Sequence, residues 1–146
     1  MELRIFMLRK KKNKKSNDAL FFERLNVYNS HFKDLENKTN RIINDMSKEE
    51  IEILSTEITR ELFIAIRLLS RSSSYKGSEI KRTLVYRLSD AGHNLPLNKS
   101  LFEVQKSIST IQQVVNAINS YETKDGTFNM VKTNFQHLLQ KYDFIS

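Results

Sequence analysis

From Phe21 onward, apolar or neutral side chains recur at alternating intervals of four and three residues: Phe21, Leu25, Tyr28, Phe32, Leu35, Thr39, Ile42 and Met46. Residues three and four apart share one face of a helical turn, so this spacing draws a single stripe down a helix of about 28 residues. Ser47-Lys-Glu-Glu50 has the form of a capping box, in which the Ser hydroxyl takes an orphan amide and the Glu reaches back to the cap. A second helix is expected there, with the stripe Ile51, Leu54, Ile58, Leu62, Ala65 and Leu69. Ile53, Ile64, Ile66 and Leu68 widen that stripe, which predicts cover on more than one side and a central place in the fold.

The small polar residues of Ser70–Ser78 compete for backbone hydrogen bonds and interrupt the pattern. Ser78 can cap a third helix with the stripe Ile80, Leu84, Leu88 and Ala91, closed by Gly92 in a left-handed conformation. Ser100-Leu-Phe-Glu103 is a second capping box, and Leu101, Val104, Ile108, Ile111, Val115 and Ile118 continue a fourth helix. After an Asp-Gly turn at Lys124–Thr127, Phe128, Val131, Phe135, Leu138 and Tyr142 mark a fifth. Three Gly and one Pro are too few for a turn-rich β fold. The expectation is an all-α protein: one antiparallel bundle of about five helices over residues 17–146, behind a basic N-terminal arm, residues 1–16. The same 3.5-residue repeat also suits an elongated coiled coil, and pairing of two copies through the long first helix stays open. Five caps or breaks, which let the chain fold back on itself, favour the bundle.

Charge is unevenly placed. Of the formal +7, residues 1–16 supply +6, and residues 17–146 carry 17 Lys/Arg against 16 acids. Within the latter, residues 17–59 sum to −4 and residues 60–87 to +5. The high isoelectric point therefore belongs to the arm, and a second basic zone lies mid-chain. The order of the arm, apolar Leu3–Leu8 before basic Arg9–Lys15, is the reverse of a secretory signal, so no export is expected. No run approaches the ~18 residues of a membrane span. The chain has no Cys, which suits a cytoplasmic setting and excludes disulfides and thiolate metal sites.

Candidate chemistry is sparse. Arg87 and His93, in Arg-Leu-Ser-Asp-Ala-Gly-His, have a form that resembles the Arg-x(4–6)-His pattern of the HEPN family over seven residues. The resemblance implies a helical bundle and a ribonuclease in which Arg steadies the phosphate and His acts as acid or base. Arg24 and His31 satisfy the same spacing, and the plain reading is a surface Arg and a loop His. Ser-x-x-Lys occurs at Ser30/Lys33, Ser73/Lys76 and Ser78/Lys81, without the companion elements of the penicillin-binding enzymes. His31, His93 and His137 lack a partner at metal-ligand spacing, the pair Glu57/Glu61 lacks the His of a di-iron motif, and there is no Gly-rich phosphate loop. No metal or cofactor is expected.

The arm, with Arg9, Lys10, Lys11, Lys12, Lys14 and Lys15, admits three readings: a polybasic tail along nucleic-acid phosphates held by counterion release, a segment resting on an anionic membrane surface, or a disordered solubilising terminus. Arg60, Arg67 and Arg71 share one helix face, and Lys76, Lys81 and Arg82 flank the start of the next helix, which suits either an anion site or a solvated basic face pairing with the acidic first helix. The expected function is a small non-enzymatic binding or regulatory protein using these residues toward a polyanion. The alternatives are a protein-interaction adaptor, inhibitor or immunity-type bundle; a HEPN-like ribonuclease; and a peripheral membrane protein attached through residues 3–15.

Overall fold

The structure is a computed structural model that describes residues 17–71, 78–96, 100–121 and 125–145. Six helices and no strands occur among the described residues: α1 (Asn17–Leu25), α2 (Ser30–Asn44), α3 (Lys48–Arg71), α4 (Ser78–Gly92), α5 (Leu101–Asn119) and α6 (Gly126–Lys141). They form an all-α helical bundle, and the basic arm lies outside the described residues.

The extra helix comes from a break in the first stripe. Asn26 turns its Nδ2 back to the Phe22 carbonyl at 2.9 Å, and Asn29 accepts the Phe32 amide at 3.2 Å as the cap of α2. Both side chains offer the backbone a local alternative to continued helix. Tyr28, on the expected stripe, is thereby turned out to 59% exposure and donates its hydroxyl to Glu36. Beyond the break Phe32 and Thr39 of the expected stripe are buried, but further on the buried residue is Ile43, with Ile42 and Met46 only partly covered. Asn29→Ala is expected to destabilise the chain by about 1 kcal/mol through loss of the cap. A thermal melt checks this, with a Tm lower by about 3 °C.

Both capping boxes start helices. Ser47 Oγ accepts the Glu50 amide while Glu50 Oε1 accepts the Ser47 amide, each at 3.1 Å, and Ser100 Oγ accepts the Glu103 amide at 3.3 Å. Gly92 differs from expectation. It closes α4 without a left-handed φ, and its smallness serves packing instead, since a Cβ there would lie 2.8 Å from Leu62 Cδ1. The left-handed position is Asp143, φ 61°, after α6. There Asp143 N–H bonds the Gln140 carbonyl and Phe144 N–H the Leu139 carbonyl, the double closure of a Schellman end, with the Phe144 ring buried.

The central helix is α5 rather than α3. It touches each of the other five helices and buries ten residues, from Glu103 to Ile118, around most of its circumference. From Ser107 to Asn119 it carries no charged residue, whereas α3 carries nine in 24. A charge stays on the surface unless it is paired, so α3 can bury only one stripe. Of the residues expected to widen its covered side, Ile53 is 57% exposed, while Ile66 and Leu68 are partly buried against the core. α3 packs on α4 and α6, and α4 packs on α5, which gives a layer of α3 and α4 over a layer of α5 and α6. α1 and α2 lie against α5.

Candidate polyanion-binding face

The outward face of the α3–α4 layer carries the mid-chain arginines. Arg67 and Arg71 on α3 and Arg82 on α4 are exposed, and none enters an ion pair or side-chain hydrogen bond among the described residues. Arg60 shares the α3 face but stands 3.9 Å from Glu61 and borders a mixed-charge cleft, so its charge is partly answered. Lys76 and the arm residues Arg9, Lys10, Lys11, Lys12, Lys14 and Lys15 lie outside the described residues.

Lys81 leaves the expected face altogether. It is 4% exposed, its Nζ lies 2.6 Å from Asp125 Oδ2, and the ammonium sits 5.6 Å from the Phe128 ring centre. The helical period explains this: Lys81 is one residue after the buried Ile80, and it turns toward the start of α6 while Arg82 turns outward. Asp125 is also the cap of α6, accepting the Thr127 amide at 3.0 Å. Burial pushes the Asp125 carboxyl up, but the bonds from Lys81 and Thr127 and the lysine charge outweigh it and hold the group down to about 2.

Asp125 belongs to one crowded end of the bundle. Tyr121, at the finish of α5, donates its hydroxyl to Asp18 of α1, and its ring meets Phe21 and Phe128 edge-on at 5.2 and 5.1 Å. The starts of α1, α4 and α6 are thus tied together, and Arg71 is seven residues from Ser78 along the chain. Segment 1–16 joins the fold at Asn17, at this same end.

Two exposed aromatic residues on the outward face escaped the sequence reading. Phe63 is 60% exposed between Arg60 and Arg67, and Tyr86 is 73% exposed one turn beyond Arg82. The signal was present in the sequence, since neither residue falls on a buried stripe.

Other sites offer less. Arg87 donates through Nη2 to Asn26 Oδ1, and His93 is exposed beyond the end of α4; no hydrogen bond joins them. Glu57, between α3 and α6, accepts from Lys141 at 2.9 and 3.0 Å and from the Tyr142 hydroxyl at 2.7 Å. Burial raises the Glu57 carboxyl, the two hydrogen bonds lower it further, and the net direction is down. Tyr142 is held above its ordinary value by burial and by the bond to Glu57. A carboxylate saturated in this way fastens α6 to α3 and has little acceptor capacity left for a substrate. A cleft of about 170 Å³ between α2, α5 and α6 is lined by His31, Gln112, Asn116, Asn119 and Gln136 over an apolar floor.

Among the described residues no three His, Cys, Asp or Glu side chains gather where a metal could bind, and no helix is long and apolar enough to cross a membrane. Comparison with protein-family models, with curated proteins and with solved structures returned no match to this chain.

Proposed function

We propose that this chain is a small non-enzymatic binding protein of the cytoplasm that holds a nucleic acid by its phosphates on the outward α3–α4 face. The observation that carries this reading is the set Arg67, Arg71 and Arg82: three exposed guanidinium groups without acidic partners among the described residues. Guanidinium forks suit phosphate oxygens bidentately. The arm adds six basic residues between Arg9 and Lys15, and its junction at Asn17 lies at the end of the bundle where α4 begins. Contacts of this kind position a ligand without reading its sequence.

Fluorescence anisotropy with a labelled oligonucleotide tests the reading. Affinity is expected to fall by orders of magnitude from ~50 to ~200 mM salt if six or more phosphates are engaged. The triple variant Arg67→Ala/Arg71→Ala/Arg82→Ala is expected to weaken binding and to reduce the salt slope by about 2–3. Binding that does not weaken with salt, or a triple variant with the wild-type slope, sinks the proposal.

A second reading rests on exposed apolar groups away from the arginines. Ile53 near the start of α3, and Leu101 and Phe102 at the start of α5, are 57%, 41% and 69% exposed, which suits a protein partner at the opposite end of the bundle. A partner that is captured equally before and after nuclease treatment, and lost in Phe102→Asp, supports it.

A further inference from the structure

Phe63 and Tyr86 leave most of their rings in water, at 60% and 73% exposure, and so forgo the stabilisation that burial of apolar surface gives. One exposed aromatic is ordinary on a protein surface. Here both occur on the face that carries the arginines. Phe63 follows Arg60 by three residues and precedes Arg67 by four, and Tyr86 follows Arg82 by four, so each ring is a surface neighbour of guanidinium groups on its own helix. The buried stripes of α3 and α4 are turned to α6 and α5, so the outward faces of the two adjoining helices look the same way. Leu62 meets Gly92, which sets Phe63 level with the last turn of α4; Tyr86, six residues before Gly92, is then displaced by roughly 9 Å along the axis. Neighbouring helix axes add a lateral offset of about 8–10 Å.

We propose that Phe63 and Tyr86 are stacking platforms for separated bases of single-stranded nucleic acid, whose phosphates lie on Arg67, Arg71 and Arg82. The inference rests on the phosphate-binding reading above and specifies its substrate class. In a duplex both faces of each base are covered by neighbours at ~3.4 Å along the strand, so an outside ring finds no free face to stack on. A single strand can splay its bases onto both, and every base offers such a face, so the contact is indifferent to sequence. Each arginine beside a ring also favours the stacked arrangement by its charge.

The test uses the full chain and a mixed-sequence oligonucleotide, single-stranded or annealed to its complement, in anisotropy titrations. The wild type is expected to bind the single strand more tightly than the duplex. Phe63→Ala and Tyr86→Ala are each expected to weaken single-strand binding by about 5- to 150-fold, leaving duplex binding and the salt slope unchanged. Phe63→Tyr and Tyr86→Phe retain affinity, as does Met130→Ala on α6, whose exposed side chain carries no role here. Because the chain has no Trp, Phe63→Trp supplies a lone indole whose emission should change when a base stacks on it. Equal affinity for single strand and duplex, or alanine variants that bind like wild type while the arginine triple variant is impaired, overturns the stacking proposal and leaves phosphate binding standing. No salt-dependent binding to either form, or binding of a protein ligand alone, overturns both.

Discussion

Lys81→Ala should lower stability by about 3–5 kcal/mol, the range for removing one partner of a buried ion pair. The Asp125 side chain is 13% exposed beside Lys81, and the variant leaves its carboxylate without the lysine ammonium that answers its charge. The pair is structural because it joins the first turn of α4 to the cap of α6, beside the Phe128 ring. Replacing both partners, as Lys81→Met/Asp125→Asn, is expected to recover most of the loss, since an apolar side chain fits the site and Asn still caps α6.

The pH dependence carries the same signature. The folded Asp125 carboxyl is held at about 2, below its ordinary 3.8, so protonation favours the unfolded chain. Its contribution, about 2 kcal/mol, is complete above pH ~5 and is lost as pH falls toward 2. In Lys81→Ala that part of the stability profile flattens. Urea denaturation followed by circular dichroism between pH 7 and 2 measures both effects; a loss under about 1 kcal/mol at pH 7, with the acid limb unchanged, would show that the pair is dispensable.

Phe128→Ala should cost about as much, roughly 3–5 kcal/mol, through lost transfer energy and the cavity left behind. The ring is 1% exposed and meets Phe21, Tyr121 and the Lys81 ammonium, so one side chain touches α1, α4 and the end of α5. A Tm lower by about 10 °C or more is the expected readout, with Phe128→Leu much milder. Phe128 and Lys81 share contacts, so the double alanine variant should lose less than the two single losses added. Strict additivity would mean that the end cluster is not one unit.

The helical class and most helix limits were legible in the sequence because they depend on local chemistry. The pairs Ser47/Glu50 and Ser100/Glu103 start helices with bonds made within four residues, and the stripes from Ile51 to Leu69 and from Val104 to Ile118 mark buried faces by period alone. The break at Asn26–Asn29 was hidden because its stripe continues through Tyr28; only the side-chain bonds of the two Asn residues, with Arg87 reaching Asn26 from α4, show that the helix stops. The basic zone was legible as composition, but adjacent residues on a helix point 100° apart, so Lys81 turned into the fold and Arg82 out of it. Which helix is central was likewise a matter of tertiary packing, although the uncharged run of α5 foretold it. Period and caps therefore determine from sequence where helices lie and which face is apolar. Which lysine is paired and which helix starts are tied together at one end depend on contacts between residues roughly 40 to 100 positions apart, Lys81 with Asp125 and Asp18 with Tyr121, and only the tertiary structure decides them.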